Sequence, residues 1–283
     1  QGPGGIVFPV TVTGTAPLAQ LKVALGNGDK WAVPEETPIA FVYGGGNYAV
    51  MLATPAHLRD FAIGFSLTEG VIDTPDDIAA LDIHHLAQGT DLRLRLNERC
   101  QQRLDLRQRR RTLPGNAGCG LCGIENAEEF FQPLKPVAEK VVQLKDAVVE
   151  RAFNELPTHQ PLNAATRTVH AAAWAGPDGT IMLAREDVGR HNALDKLAGA
   201  LVRENATAQQ GIIVLTSRVS VEMVQKSAAI HGPLIVAVSA PTALAVRMAD
   251  AAGMTLVAIA RKDGFEVFTH PHRVKGALSS HVA

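Results

Sequence analysis

The chain has 283 residues, of which 46% are hydrophobic and 19% charged, and its formal net charge is −1. That length suffices for one large or two modest cores, while the near-neutral charge removes any global case for nucleic acid or an acidic membrane surface as a partner. No apolar run approaches the ~20 residues that cross a bilayer, no basic-then-apolar secretory segment opens the chain, and three cysteines do not make a disulfide scaffold, so the expectation is a soluble cytoplasmic protein with reduced thiols.

Residues 1–30 are rich in Gly, Thr and Ala with weak periodicity, and read as a partly ordered lead-in. IAFVY and YAVMLAT flank GGGN and predict a hairpin of Ile39–Tyr43 with Tyr48–Ala53. In TPAHLRDFAIGFSLTEGVI, Thr54 suits an N-cap and Pro55 the first helical position. Leu58, Phe61, Ala62 and Phe65 then repeat at helical spacing, and Gly70 is the expected stop. LDIHHLA and DLRLRLN read as two strands about a QGT turn, the second with Arg93 and Arg95 on its polar face.

Arg99–Arg111 holds six arginines and one acid, Asp105. LPGNAG then breaks regular structure and predicts a mobile loop at about 112–124, after which IENAEEFF begins a short helix. Further on, the short apolar runs TIMLA, GIIVLT, LIVAVSA and TLVAIA alternate with the helical patterns NALDKLAGALVREN, SVEMVQKSAAIHG and APTALAVRMADAAG. Such alternation means βαβ units and an at least partly parallel sheet covered by helices. The expected division is an N-terminal α+β domain at 31–115 and an α/β domain at 116–283, with the change near 112–135.

Cys119 and Cys122 sit among Gly118, Gly120 and Gly123. A structural zinc site needs about four Cys or His ligands. Here one Cys-x-x-Cys stands without a second pair, Cys100 is isolated, and His270 and His272 are poorly spaced, so no structural metal is expected. Zinc nucleobase deaminases carry His-x-Glu before Pro-Cys-x-x-Cys. In this chain the cysteine pair precedes His170, no Glu follows two residues after that histidine, and no Pro precedes Cys119. A dithiol redox site would follow the first strand of a compact βαβ unit, but nothing in the pair alone excludes one. The remaining reading is a mobile nucleophilic thiolate: glycines supply the swing, and nearby cations favour thiolate and persulfide anions. The Arg99–Arg111 run would supply those cations, unless it is simply a solvated charged face.

REDVGRHNALDK gathers Glu186, Asp187, Arg190, His191 and Asn192 around Gly189. Capping and turn roles suit Asp187 and Asn192, and the polar density before a helix start also suits an anion or a guanine edge. Ser217, Arg218 and Ser220 follow GIIVLT, and Ser239 and Thr242 follow LIVAV; each set reads as a helix cap or a phosphate contact. His170, among small residues, reads as a satisfied buried histidine, and nothing marks His84 or His85 for chemistry.

TPAHLRDFAIGFSLTEGVI, GCGLCG, HAAAW, REDVGRHNALDKLAGAL, SRVSVEMVQKSAAIHG and SAPTALAVRMADAAGMTLVAIARKDGFEVFTHPHR together resemble the formate dehydrogenase accessory sulfurtransferases, the FdhD family, from about residue 36 to 273. The resemblance implies a small N-terminal α+β part and a cytidine-deaminase-like three-layer α/β part without the zinc site. It implies a homodimer that takes persulfide sulfur from a cysteine desulfurase. The sulfur passes to a molybdenum (or tungsten) bis-guanine-dinucleotide cofactor, bound as substrate and destined for apo-formate dehydrogenase. Cys119 matches the persulfide cysteine and Cys122 the second of the pair, as resolving thiol or relay. The cofactor-binding segment falls on Val257, Ala258, Ile259, Ala260, Arg261 and Lys262, where a strand end runs into a basic turn suited to a diphosphate. With Ser217, Arg218, Ser239 and His191 these form the expected cofactor site. Two other readings stay open: a cofactor-binding chaperone without sulfur chemistry, and a dithiol oxidoreductase.

Overall fold

The computed structural model describes residues 8–111, 134, 136–137, 143–261 and 264–276, with backbone alone at 107–111. Its first sheet has five strands in the order β1-β6-β7-β4-β5. These are Val10–Thr13 (β1), Thr37–Tyr43 (β4), Gly46–Ala53 (β5), Ile78–Leu86 (β6) and Gly89–Leu96 (β7). Gln20–Ala24 (β2) and Lys30–Pro34 (β3) pair only with each other. The GGGN turn closes the predicted hairpin because Gly44 and Gly45 both take positive φ, 57° and 85°, which a right-twisted two-residue turn requires. Strand β1 lies parallel to β6, so part of the weakly periodic lead-in is paired into the sheet.

Helix α1 (Leu58–Thr68) covers one face of this sheet. Phe61 and Phe65 meet Phe41 edge-on at 5.0 Å and stacked at 3.9 Å, while Leu81, Leu92 and Leu94 fill the space around them. Thr54 and Pro55 do not start the helix. His57, in the left-handed conformation with φ 54°, precedes its first residue Leu58, because Thr54 is engaged elsewhere. Gly70, at φ 63°, ends the helix as expected, and the Val71 N–H donates back to the Ser66 carbonyl at 2.9 Å. The arginine run is also helical, as α2 (Glu98–Arg111).

The second sheet has six strands in the order β10-β9-β11-β12-β13-β14. Chain order runs β8 (Leu144–Lys145), α3 (Asp146–Glu155), α4 (Pro161–Thr166), β9 (His170–Ala175), β10 (Ile181–Asp187), α5 (Arg190–Arg203), β11 (Ile212–Leu215), α6 (Val221–Ala229), β12 (Leu234–Ala237), α7 (Ala243–Ala251), β13 (Thr255–Arg261), β14 (Gly264–Val267) and β15 (Val274–Lys275). Strands β11, β12 and β13 are mutually parallel, as the βαβ reading requires, and β9 and β14 run antiparallel to their neighbours. Alternation decides which side each residue faces. Ile213 and Leu215 join Leu194, Met223 and Ala245 beneath α5, α6 and α7. Ile212 and Val214 join Val149 and Ala152 of α3 on the opposite face. Helices therefore cover both faces, the predicted α/β class.

The two sheets meet where α1 crosses α5. A Cβ on Gly64 would strike the Asp195 carbonyl oxygen, and one on Gly199 the Asp60 carbonyl. Both positions therefore require the hydrogen side chain of glycine.

Candidate functional site

The carboxyl ends of β11, β12 and β13 share one edge of the second sheet. Strand β10 ends there too, since β9 runs antiparallel to both β10 and β11. Ligands gather at such edges in open α/β sheets. Backbone bonds lace the edge together. The Val219 N–H donates to the Ala240 carbonyl at 3.3 Å, Thr242 N–H to the Val219 carbonyl at 2.9 Å, and Ile259 N–H to the Ser239 carbonyl at 3.3 Å. The segments carrying Ser217, Arg218, Ser239 and Ile259 are thereby held side by side.

Within the expected cofactor segment the side chains divide by role. Val257, Ala258 and Ala260 are buried in the core and offer a ligand no side-chain contact. Ile259 is half-buried and Arg261 exposed, whereas Lys262 lies outside the described residues. Ile259 takes φ 55°, a conformation costly for a β-branched residue, and the pairing of β13 with β14 shifts register between Ala258 and Arg261. Strain of this kind collects at functional sites.

Helix starts add donors. Thr242 caps α7 by accepting from the Ala245 N–H at 3.2 Å, which is the capping role weighed above. Gly189 and Ser220 cap α5 and α6 without a side-chain bond; in α6 the Glu222 carboxylate takes its own backbone N–H, whereas the first-turn N–H groups of α5 remain directed outward. The Ser217 hydroxyl donates to the Arg218 carbonyl at 3.0 Å, and Arg218 itself is exposed. Two buried polar atoms near these helix starts, Arg190 Nε and His191 Nε2, have no hydrogen-bond partner among the described residues. Orphaned buried groups are rare in native proteins, and their concentration here suits an incoming polar ligand.

His191 Nε2 stands 3.8 Å from Glu222 Oε2, beyond hydrogen-bond reach. Burial, aided by the Arg190 guanidinium, pushes the imidazole down to about 4, so it is neutral near pH 7. Burial opposes ionisation of Glu222, but the Ser220 hydroxyl and its own backbone N–H outweigh that and hold the carboxyl below its ordinary range. Glu222 joins this site without having been marked as a contact in the sequence, whereas Arg190, Ser220 and Ile259 lay in segments that were. A small-residue start followed by an acid in SVEMV was the available signal for Glu222, and nothing in the sequence announces the φ of Ile259.

The rest of REDVGRHNALDK turns inward. Asp187 Oδ1 accepts from Gly189 N–H at 2.8 Å and from Asn192 Nδ2 at 3.0 Å. Its Oδ2 accepts from Thr54 N–H at 3.0 Å and from Lys196 Nζ at 2.5 Å. Glu186 accepts from the N–H groups of Leu162 and Asn163 at the start of α4. His170 is half-buried, and burial lowers its pKa.

Cys119 and Cys122 lie outside the described residues. The remaining cysteine, Cys100, is buried. Burial and then the Asp77 charge push its thiol upward, away from thiolate chemistry. Its ring of neighbours also decides the role of the first arginines. Arg99 pairs with Asp73 and Asp77, both at 3.2 Å, and Arg103 with Asp73 at 2.8 Å. These two ion-paired cations anchor α2 to the Asp73–Asp77 segment.

Residues 34–275 match the FdhD/NarQ family. The chain belongs to the FdhD/NarQ family. The Sulfur carrier protein FdhD of Agrobacterium fabrum is 48% identical over 243 residues, covering 86% of this chain and 89% of that protein. The Sulfur carrier protein FdhD of Xanthomonas campestris pv. campestris is 46% identical over 242 residues, 86% of this chain and 85% of its own length. The crystal structure of a candidate formate dehydrogenase accessory protein from Desulfotalea psychrophila superposes with a TM-score of 0.68 at 25% identity, over 90% of this chain and 97% of that one. The α/β architecture described above is thus the FdhD/NarQ fold. Among the described residues no helix is long and apolar enough to cross a membrane.

Proposed function

We propose that this FdhD/NarQ member is a cytoplasmic, homodimeric sulfurtransferase of formate dehydrogenase maturation. Cys119 is its sulfur-carrying thiol. As thiolate it attacks the terminal sulfur of a cysteine desulfurase persulfide; the new S–S bond forms at Cys119 as the old one breaks, and the desulfurase cysteine leaves as thiolate with the bonding electrons. Cys122 resolves the intermediate. Its thiolate attacks the Cys119 sulfur, forms the Cys119–Cys122 disulfide and expels hydrosulfide, the oxidation level of a metal sulfido ligand. A cellular dithiol then reduces the pair.

The acceptor in this reading is the molybdenum (or tungsten) bis-guanine-dinucleotide cofactor, bound as substrate at the edge formed by Ser217, Arg218, Ser239, His191 and the Val257–Lys262 segment before transfer to apo-formate dehydrogenase. The observation that carries the binding half is the orphaned buried donor Arg190 Nε beside the outward-directed start of α5. That arrangement suits a diphosphate. The sulfur half rests on the names carried by relatives of 48% and 46% identity.

Intact mass after incubation with a desulfurase and cysteine tests the sulfur half. Wild type gains one sulfur atom, and Cys119→Ala gains none, still binds cofactor and leaves formate dehydrogenase inactive. Full enzyme activity with Cys119→Ala would reject the sulfur chemistry in favour of a cofactor chaperone. Reversible Cys119–Cys122 disulfide turnover without bound sulfur would point instead to a dithiol oxidoreductase.

A further inference from the structure

Apart from the strand-end site, the first sheet carries a pocket of ≈ 610 Å³ whose walls include Thr15, Glu35, Glu36, Pro38, His85 and Gln88. Two close backbone approaches shape it. Gly14, at φ 81°, lies so near the His85 carbonyl that any Cβ there would collide, and a Cβ on Gly89 would stand 2.7 Å from the Pro38 carbonyl oxygen. The walls bring two carboxylates and neither Lys nor Arg. The Glu36 N–H donates to Glu35 Oε1 at 3.0 Å, which sets the orientation of that carboxylate before anything binds.

His85 supplies a second, independent pointer. The side chain is nine-tenths buried at 9% exposure. Its Nδ1 engages Thr90 Oγ1 at 2.9 Å, whereas its Nε2 makes no hydrogen bond among the described residues and the residue lines the pocket. Burial, then the neighbouring His84, lowers the imidazole pKa, so the ring is neutral near pH 7. In the tautomer whose Nδ1–H donates to Thr90, Nε2 presents a lone pair.

We propose that this pocket is a binding site for a linear organic cation with a primary ammonium group, of the diamine and polyamine class, held by Glu35, Glu36 and His85 Nε2. An ammonium has three N–H donors and no acceptor, and the charged groups of the pocket are carboxylate acceptors alone. Charge-assisted bonds to carboxylates are the strong kind. Pro17, Pro38 and Leu86 form apolar walls along which a methylene chain lies without desolvation cost. A bare metal ion fits less well. Among the described residues, the three-ligand set gathered within 4.8 Å is Asp73, Asp77 and Cys100, not these groups. An anion would meet two negative charges.

Calorimetry on the full chain with spermidine and putrescine tests the assignment at about 150 mM salt, where non-specific surface attraction is screened. Wild type is expected to bind one molecule, and Glu35→Gln/Glu36→Gln to bind roughly ten- to a hundredfold more weakly, because each Gln keeps a carbonyl acceptor and loses only the charge assistance. The control Glu98→Gln/Glu150→Gln removes the same charge elsewhere and should bind as wild type. His85 ring resonances should shift on titration of the wild type. No binding by the wild type, undiminished binding by the Glu35/Glu36 variant, or equal loss in both variants would each overturn the assignment.

Discussion

Lys196 places its ammonium 2.5 Å from the Asp187 carboxylate, and neither side chain is exposed to solvent. The same ammonium donates to the Thr54 carbonyl at 2.8 Å, and the Val188 N–H donates to the Thr54 hydroxyl at 3.1 Å. Asn192 Nδ2 reaches the Leu52 carbonyl at 2.8 Å. The end of β5 is thus fastened to the start of α5 by a buried polar set with every Asp187 oxygen satisfied. Burial lowers the Lys196 pKa while the Asp187 charge opposes the shift. Lys196→Met leaves the Asp187 charge uncompensated and should cost about 3–5 kcal/mol in urea unfolding. Adding Asp187→Asn should cost less than the sum of the two single changes, because the pair acts as one unit; strict additivity would show the two groups to be energetically independent.

A second prediction concerns the crossing of α1 and α5. Asp60 binds Arg185 Nε and Arg203 Nε, both at 2.8 Å, and Lys226 reaches Asp195 at 2.9 Å and Glu69 at 3.0 Å. These bonds have that reach only because Gly64 and Gly199 let the helices touch. Gly64→Ala ordinarily helps an isolated helix by up to ~1 kcal/mol. Here it must push α1 off the Asp195 carbonyl, and the expected outcome is a net loss above ~3 kcal/mol or no folded protein. A thermal midpoint equal to that of wild type would contradict the crossing as described.

Acid sensitivity follows from the histidines. The His191 pKa falls from 6.5 to about 4 on folding. Burial also lowers His57, His85 and His170. Between their unfolded value and the lower folded values the unfolded chain binds more protons, so stability is complete above about pH 6.5 and declines as pH falls toward 4. Asp77, depressed to about 2 by the backbone N–H groups of Thr74 and Asp73 and the side chains of Asn97 and Arg99 against the opposing effect of burial, keeps its contribution through that window and loses it only below about 3.8. Urea midpoints should therefore drop between pH 7.5 and pH 5, and His191→Gln should flatten that drop. A flat wild-type profile over this range would mean that these imidazoles are not held neutral.

Much of this was legible in the chain. Alternation in DLRLRLN, the GGGN turn and the apolar runs of the second half each state a period that the sheets obey, and short-range spacing suffices to read them. Thr54 shows where local reading stops. Its N-cap chemistry was sound, but Asp187 and Val188, more than 130 residues away, recruit its backbone and hydroxyl, and the helix starts at Leu58. The same long-range pairing turns Asp187 and Asn192 from site candidates into struts, and Asp73 and Asp77 turn Arg99 and Arg103 into anchors. Which polar residues face inward depends on contacts between segments far apart in sequence, and spacing alone does not encode those.

The strain at Ile259 gives the last prediction. A β-branched residue at φ 55° costs about 1–2 kcal/mol relative to glycine, and its side chain is only half-buried. Relief of strain and loss of burial, roughly 1–2 kcal/mol for a half-exposed aliphatic chain, therefore nearly cancel in Ile259→Gly. Urea unfolding should place that variant within about 1 kcal/mol of wild type, whereas Leu256→Ala, in the same strand but fully buried, should cost about 2–5 kcal/mol. Binding should respond differently. The Ile side chain fixes one backbone geometry beside the Ser239 carbonyl that accepts the Ile259 N–H, and glycine releases the segment to sample others, so a ligand must bear that ordering cost. Titration with GDP as probe should accordingly show weaker binding by Ile259→Gly despite near-native stability. Unchanged affinity would mean that the strained turn at the end of β13 takes no part in holding the ligand, and a loss of stability as large as that of Leu256→Ala would mean that Ile259 serves the core alone.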